Sequence, residues 1–226
     1  MNKIKQYTNA ITNAYIKYKI QNNGFWFVDI PRTSSSSIRI ELGMYYGIPY
    51  GKKNILEKKF ASPYKLFHDH LSVKDMKYKL GSKLWNQLFT FTFVRNPWDR
   101  IFSFYFYRKK CHEIPASLTL KEYIVLLFNK QLGKYELPLD SHDYKNCADY
   151  ILCDEKIDVK YIGRYENREH DLYEIASLIG WTRTENLYLQ RSKPRLVNYK
   201  DLYDSNMIKM IERMYMKDIE LFNYTY

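Results

Sequence analysis

Apolar side chains occur along the chain in two patterns, as short continuous runs and at helical spacing. Continuous runs rich in aromatic and β-branched residues occupy positions 25–30 and 88–94, and each ends at a polar turn. Such runs are typical of strands buried on both faces of a sheet. Apolar residues at helical spacing follow both turns, over about residues 36–46 and 101–109. Because strand, turn and helix occur twice in this order, we predict an α/β fold with a central parallel β-sheet flanked by helices.

The remaining segments add helices on both sides of these two units. Apolar spacing predicts helices at residues 4–20, 72–80, 117–132, 169–179 and 204–218, and short strands at residues 150–152 and 159–163. Ser72 and Asp75 form a capping-box pattern, while Asn96 and Pro97 suit the N-cap and first position of a helix. No linker divides the chain, so we expect one domain over residues 1–226, with residues 1–24 as an N-terminal helical extension.

The net charge of the chain favours some classes of partner but does not distinguish among them. The chain has 226 residues, and 36 Lys and Arg against 25 Asp and Glu give a net charge of +11. This excess favours anionic partners, which include nucleic acid, an anionic membrane surface, and phosphorylated or sulfated ligands. No apolar segment has the length of a signal peptide or a membrane span. The three cysteines form no C-x-x-C pair, which is typical of reduced thiols in a cytoplasmic protein.

The turn after the first apolar run has the composition of an anion site. Arg32 follows Pro31, and five hydroxyl side chains occupy positions 33–37 just where a helix is predicted to begin. Unpaired N–H groups at a helix N-terminus favour phosphate or sulfate, and a cation beside them strengthens that preference. The alternative is a flexible serine-rich loop. The turn is not a Walker A loop, because the glycines of that motif are absent.

Two further groups of polar residues carry candidate chemistry. Arg95 ends the second apolar run and Ser103 lies on the helix that follows, although Arg95 could instead pair with a carboxylate at the strand end. His68 and His70 lie two positions apart, and histidine suits proton transfer near neutral pH. The alternatives for this pair are a metal site that includes Asp69, or ordinary loop residues.

Together the two turns resemble the sulfotransferases that use 3′-phosphoadenosine 5′-phosphosulfate (PAPS). Their motifs are I-P-K-T-x-x-x-S and V-R-[ND]-P-x-x-R-x-x-S-x-Y, and the matching segments here are Ile30–Ser37 and Val94–Tyr105. The resemblance implies a P-loop-type sulfotransferase fold in which Arg95 and Ser103 bind the 3′-phosphate. It implies that the 5′-phosphosulfate is held by Arg32, Thr33, Ser34, Ser35, Ser36 and Ser37. Arg32 stands where the family usually has Lys, a change expected to affect the rate and not the class of reaction.

Three looser similarities bear on the acceptor and on the closing of the site. The pair His68 and His70 resembles the H-x-H of heparan sulfate and uronyl 2-O-sulfotransferases, which implies His70 as catalytic base, His68 as an assisting residue, and a carbohydrate acceptor. Glu166 lies in a segment similar to the family's G-R-x-E, where it either orients the base or acceptor or forms an ion pair with Arg164 or Arg168. Arg191, Ser192 and Lys193 form a basic loop suited to closing over the phosphates of the cofactor.

The resemblance therefore implies transfer of a sulfuryl group from PAPS to an acceptor hydroxyl, with PAP as the product and without a metal. A carbohydrate acceptor is expected, and an acidic glycan suits a basic cleft. Two alternatives stay open from the sequence. One is a P-loop-type nucleotide-dependent kinase, and the other is a non-catalytic protein that binds nucleic acid or another polyanion through its positive charge.

Overall fold

The computed structural model describes residues 17–18, 20–45, 70–131, 141–181 and 197–226. The strands are β1 (Phe25–Val28), β2 (Phe89–Val94), β3 (Leu152–Cys153), β4 (Lys156–Ile157) and β5 (Tyr161–Arg164). The α-helices are α1 (Ser35–Tyr45), α2 (Val73–Leu80), α3 (Ser82–Gln87), α4 (Pro97–Lys110), α5 (Leu120–Gln131), α6 (Ala148–Ile151), α7 (Arg168–Leu178), α8 (Ser205–Met214) and α9 (Met216–Phe222). Most of the predicted helix at residues 4–20 lies outside these ranges.

Three of the described strands form a parallel sheet in the order β1-β2-β5. Phe25 pairs with Phe89 at one end, and Val94 of the central strand pairs with Arg164 at the other. Successive parallel strands connected through helices bring their carboxyl ends to the same edge, where ligands of α/β proteins bind. The predicted α/β fold with a parallel sheet flanked by helices is thus confirmed, and the turns that follow β1 and β2 are neighbours.

The two faces of the sheet are covered by different sets of helices. Alternate residues of β1 and β2 form a row of buried aromatic rings against α1 and α7, namely Phe25, Phe27, Phe91 and Phe93. The opposite face carries the larger core, to which α2, α4, α5, α8 and α9 contribute buried side chains. Both faces of these strands are therefore buried, which is why their sequences read as continuous apolar runs.

Local capping signals explain where several helices begin and end. Ser72 and Asp75 form the predicted capping box at the start of α2. The Asn96 side chain accepts hydrogen bonds from the N–H groups of Trp98 and Asp99 at the start of α4, with Pro97 as its first residue. Gly180, with φ of 67°, follows the end of α7 in the left-handed region that favours glycine. The two caps predicted from the sequence, at Ser72 and at Asn96, are confirmed.

The predicted strand at residues 150–152 is wrong for its first two residues, which end helix α6. The buried carboxylate of Asp218 accepts hydrogen bonds at 2.8 Å from the N–H groups of both Cys147 and Ala148. These are donors that the start of a helix leaves unpaired, so a residue 70 positions away stabilises this short helix. Only Leu152 of the predicted segment is extended, in a short antiparallel pair with β4.

The single helix predicted at residues 204–218 is also wrong, because it is divided into α8 and α9 at Tyr215. The side chain of Asn146 lies at the break: its Nδ2 donates to the Met214 carbonyl at 3.1 Å, and its Oδ1 accepts from the Asp218 N–H at 3.3 Å. In a continuous helix these two backbone groups would bond to each other. An inserted side chain is a known cause of a helix break.

Candidate active site

The turn after β1 has an unusual backbone. Arg32 and Ser34 have φ values of 66° and 74°, in the left-handed region that costs a non-glycine residue about 1–2 kcal/mol. Two hydrogen bonds support the turn, from Thr33 Oγ1 to the Ile30 carbonyl at 2.9 Å and from Arg95 Nη1 to the Arg32 carbonyl at 2.9 Å. Residues held in such conformations cluster at functional sites, where the surrounding contacts maintain them.

The two motif turns meet through the side chain of Arg32. Its Nε and Nη2 atoms donate to Ser103 Oγ at 3.0 and 2.9 Å, and its guanidinium lies over the ring of Tyr107 at 4.5 Å. Arg100 donates from Nε to the Pro31 carbonyl at 3.1 Å, so helix α4 holds the turn from a second point. The residues predicted to bind the 5′ and 3′ ends of the cofactor are therefore within hydrogen-bond distance of each other.

Arg95 lies beneath this turn and is only 3% exposed. Its Nε donates to Asp99 Oδ2 at 2.8 Å, and its guanidinium stacks on the Tyr165 ring at 3.7 Å. The alternative in which Arg95 pairs with a carboxylate at the strand end is thus present in the structure. Because Nη1 donates to the Arg32 carbonyl, the same side chain also positions the turn of the first motif.

The hydroxyl residues of positions 33–37 differ in their surroundings. Thr33, Ser35 and Ser37 are buried, whereas Ser36 is exposed at the start of α1. Ser34 Oγ accepts a hydrogen bond of 2.9 Å from Arg168 Nη1, at the first turn of α7. Arg168 is a cation of the site that the sequence analysis missed, since it is 134 positions away from Ser34. It directly follows Asn167 in the segment that resembles the family's G-R-x-E.

His70 is placed at the same sheet edge by Asp29, the residue after β1. The Nδ1 atom of His70 lies 3.2 Å from both Oδ1 and the backbone carbonyl of Asp29. Arg39 Nη1 approaches the other carboxylate oxygen, Oδ2, at 2.8 Å. Burial acts to raise the pKa of Asp29, but the hydrogen bond and charge of His70, with the charge of Arg39, lower it overall. Asp29 was assigned to a strand by its sequence and was not recognised as a site residue.

A second histidine beside His70 is His142, whose ring lies edge-on at 5.1 Å between centroids. His142 Nδ1 is hydrogen-bonded to the hydroxyl of Tyr150, and Lys145 Nζ lies 4.2 Å from the centre of the Tyr150 ring. His142 is 72 positions from His70, and nothing in its local sequence signalled the contact. His68, predicted to assist His70, lies outside the described residues, as does the basic loop with Arg191, Ser192 and Lys193.

Glu166 joins the second motif to the end of the chain. Its Oε1 accepts from the Asn96 N–H at 2.6 Å, and its Oε2 accepts from the Tyr224 hydroxyl at 3.2 Å. Of the two arginines suggested as its partners, Arg164 donates to the Phe222 carbonyl and Arg168 pairs with Glu169 at 2.9 Å. These contacts favour a structural role, in which Glu166 fixes the backbone where β2 enters α4.

The donors gathered at this edge suit a ligand that carries several negative charges. Three cations lie in or next to the turn, namely Arg32, Arg95 and Arg168. The first N–H groups of α1 have no carbonyl partner within the helix. Next to the turn, Asp29 contacts one ring nitrogen of His70, and the other ring nitrogen of an imidazole can accept a proton. The arrangement can therefore bind an anion and deprotonate a neighbouring hydroxyl.

Comparison with known proteins identifies the family of the chain. Residues 21–225 match the sulfotransferase family. An uncharacterized protein of Archaeoglobus fulgidus is 29% identical over 102 residues, which cover 45% of this chain and 76% of that protein. Within the described part of the chain, no helix has the length and apolar character needed to cross a membrane.

Proposed function

The chain belongs to the sulfotransferase family, and from this premise we propose that it transfers a sulfuryl group from PAPS to a hydroxyl of a carbohydrate. The observation that carries the proposal is the contact between the two motif turns. Arg32 donates to Ser103 Oγ at 2.9 Å, while Arg95 donates to the Arg32 carbonyl at the same distance. Residues that resemble the two donor-binding motifs of PAPS-dependent enzymes thus form one cationic site.

The donor set fits PAPS, whose two phosphate-bearing ends need cations and N–H groups. In the proposal, Arg32 and positions 33–37 hold the 5′-phosphosulfate, and Ser103 binds the 3′-phosphate. Arg95 contributes its positive charge from beneath the turn, because its Nε and Nη1 already donate to Asp99 and to the Arg32 carbonyl. Arg168, through its contact with Ser34, is a further cation for the same end. When bound, PAPS supplies a sulfuryl group activated by attachment to phosphate.

The chain's own residues would handle the proton and the charge of the transfer. His70 takes the acceptor hydroxyl proton as the new oxygen–sulfur bond forms and the bond between sulfur and the 5′-phosphate oxygen breaks. Arg32 and the N-terminus of α1 would stabilise the negative charge that develops on the leaving phosphate. A 5′-phosphate is a weak base that needs stabilisation more than a proton, so a permanently charged arginine suits this position.

A carbohydrate acceptor is supported by the surroundings of His70. The H-x-H pattern resembles that of enzymes that sulfate uronic acid residues. His142 places a second imidazole edge-on to His70 and is hydrogen-bonded to the buried Tyr150, whose ring Lys145 contacts. The net charge of +11 on the chain favours an acidic glycan as the acceptor class.

The test combines cofactor binding with sulfate transfer. Calorimetry compares PAP with ATP, and transfer of labelled sulfate from PAPS is measured against a panel of glycans and small hydroxyl compounds. We expect PAP to bind more tightly than ATP, and Ser103→Ala to weaken PAP binding by about tenfold, the value of one hydrogen bond to a charged group. His70→Ala should lower the transfer rate by about 100-fold or more with PAP binding retained.

His170→Ala is the matched control, since His170 is an exposed histidine on α7, and it should leave transfer unchanged. Absence of both sulfate transfer and PAP binding in the wild-type protein would contradict the proposal. Steeply salt-dependent binding of nucleic acid, with no preference for PAP, would favour the polyanion-binding alternative. Full activity of His70→Ala would remove the base assignment alone.

A further inference from the structure

The two carboxylate oxygens of Asp29 contact two different side chains, Arg39 and His70. Oδ2 is 2.8 Å from Arg39 Nη1, and Oδ1 is 3.2 Å from His70 Nδ1. The backbone carbonyl of Asp29 is also 3.2 Å from that ring nitrogen. The backbone carbonyl is the hydrogen-bond acceptor of this nitrogen, and Oδ1 adds the negative charge of an ion-pair contact at the same distance. The Asp29 side chain is 13% exposed, so water competes little for these contacts.

This geometry determines which nitrogen of a neutral His70 carries the proton. A neutral imidazole has one N–H and one lone pair, and the hydrogen bond at one nitrogen sets the role of the other. A carbonyl oxygen can only accept a hydrogen bond, and the Asp29 carboxylate places a negative charge beside it, so the proton belongs on Nδ1. The lone pair is then on Nε2, where a base must have it in order to accept a proton.

Other contacts restrict the movement of the ring. The backbone of His70 has φ of 48°, and the chain then enters the capping box of α2 at Ser72. The His70 side chain is 24% exposed, so the ring is partly accessible. Among the described residues, the titratable and charged groups near the ring include Asp29, Arg39 through its ion pair with Asp29, and His142, whose ring lies edge-on at 5.1 Å.

We propose that Asp29 is a positioning residue that fixes the Nδ1–H tautomer and the orientation of the His70 ring. The inference rests on the proposed function, in which His70 is the base. Asp29 lies three residues before Arg32 in the same turn. One four-residue segment thus carries both the residue that positions the base and the cation assigned to the leaving phosphate.

The first test measures the tautomer directly and needs no activity. Nitrogen-15 NMR of histidine-labelled protein distinguishes protonated from unprotonated ring nitrogens, and His70→Gln identifies the His70 signals among five histidines. Spectra are recorded at about pH 8.5, where an imidazole is ordinarily neutral. We expect Nδ1–H in the wild-type protein and an increased share of Nε2–H in Asp29→Asn. Nε2–H as the main form in the wild-type protein would overturn the inference even if the variant failed to fold.

The second test separates positioning from stability and binding. Asp29→Asn should lower kcat by about tenfold or more, the usual effect of losing a group that orients a functional histidine, with PAP affinity changed by less than about threefold. Arg39→Gln is the matched control: it removes the ion pair with Asp29 but leaves the contact with His70, so the Nδ1–H form should persist. An equal loss of Nδ1–H in both variants, or an unchanged kcat in Asp29→Asn, would overturn the proposal. If the wild-type protein transfers no sulfate at all, the proposed function fails while the tautomer measurement still decides the role of Asp29.

Discussion

Replacing Arg95 by methionine should destabilise the protein strongly. Arg95 is 3% exposed, and the side chain of its partner Asp99 is 11% exposed. Arg95 Nη2 lies 2.8 Å from Asp99 Oδ2. Removing one member of a buried ion pair costs about 3–5 kcal/mol, because the other charge stays buried. Asp99 lies in the first turn of α4, where the helix dipole supports a carboxylate by about 0.3–1 kcal/mol. We therefore expect a loss of about 3 kcal/mol, or roughly 6–12 °C in Tm for a chain of this size.

Urea denaturation and thermal unfolding measure this loss. Lys217→Met is the control, because it removes an ion pair with Asp149 of similar length, 3.1 Å, whose lysine side chain is 66% exposed. That variant should lose less than about 1 kcal/mol. The double variant Arg95→Met/Asp99→Asn removes both charges of this pair and should recover part of the stability. Equal losses in Arg95→Met and Lys217→Met would refute the reasoning from burial.

Three further changes test other contacts. Arg168→Leu removes a cation and its hydrogen bond to Ser34. PAP affinity measured by calorimetry should therefore fall by about three- to tenfold. An unchanged affinity would show that Arg168 is not part of the site. In Gly163→Ala, the new Cβ would lie 2.5 Å from the buried ring of Phe93, and denaturation should show a loss of about 1–3 kcal/mol unless the ring can shift. The lowered pKa of Asp29 predicts that its contribution to stability is present above about pH 4 and is lost as the pH falls through the folded-state pKa. The difference in unfolding free energy between wild type and Asp29→Asn should therefore shrink as the pH falls below about 4, and a constant difference would contradict the assignment.

The parts of the fold that could be predicted from the sequence are those determined by neighbouring residues. The two strand–turn–helix units follow from apolar runs and from the caps at Ser72 and Asn96. The errors arise where a distant side chain replaces a local partner. Asp218 supplies acceptors to the start of α6, and Asn146 enters the backbone hydrogen bonding between α8 and α9. No pattern within either segment contains that information.

The same distinction applies to the candidate site. Arg32, Arg95 and His70 were predicted because each lies in a recognisable local motif. Arg168 and His142 enter the site only through contacts across 134 and 72 positions. Their residue types are common on protein surfaces, so a single sequence gives no reason to select them. Geometry at the sheet edge is what distinguishes them from other arginines and histidines.

The left-handed backbone at Ser34 implies a conflict between stability and activity at one residue. Glycine adopts this φ of 74° without the steric cost of about 1–2 kcal/mol that serine bears, and this relief exceeds the extra entropy of about 0.5–1 kcal/mol that glycine loses on folding. Ser34→Gly also removes the hydroxyl that Arg168 contacts. A selection for thermal stability alone would therefore accept glycine here, whereas a selection for sulfate transfer would retain serine. Position 34 offers a direct way to learn which of the two requirements has shaped this turn.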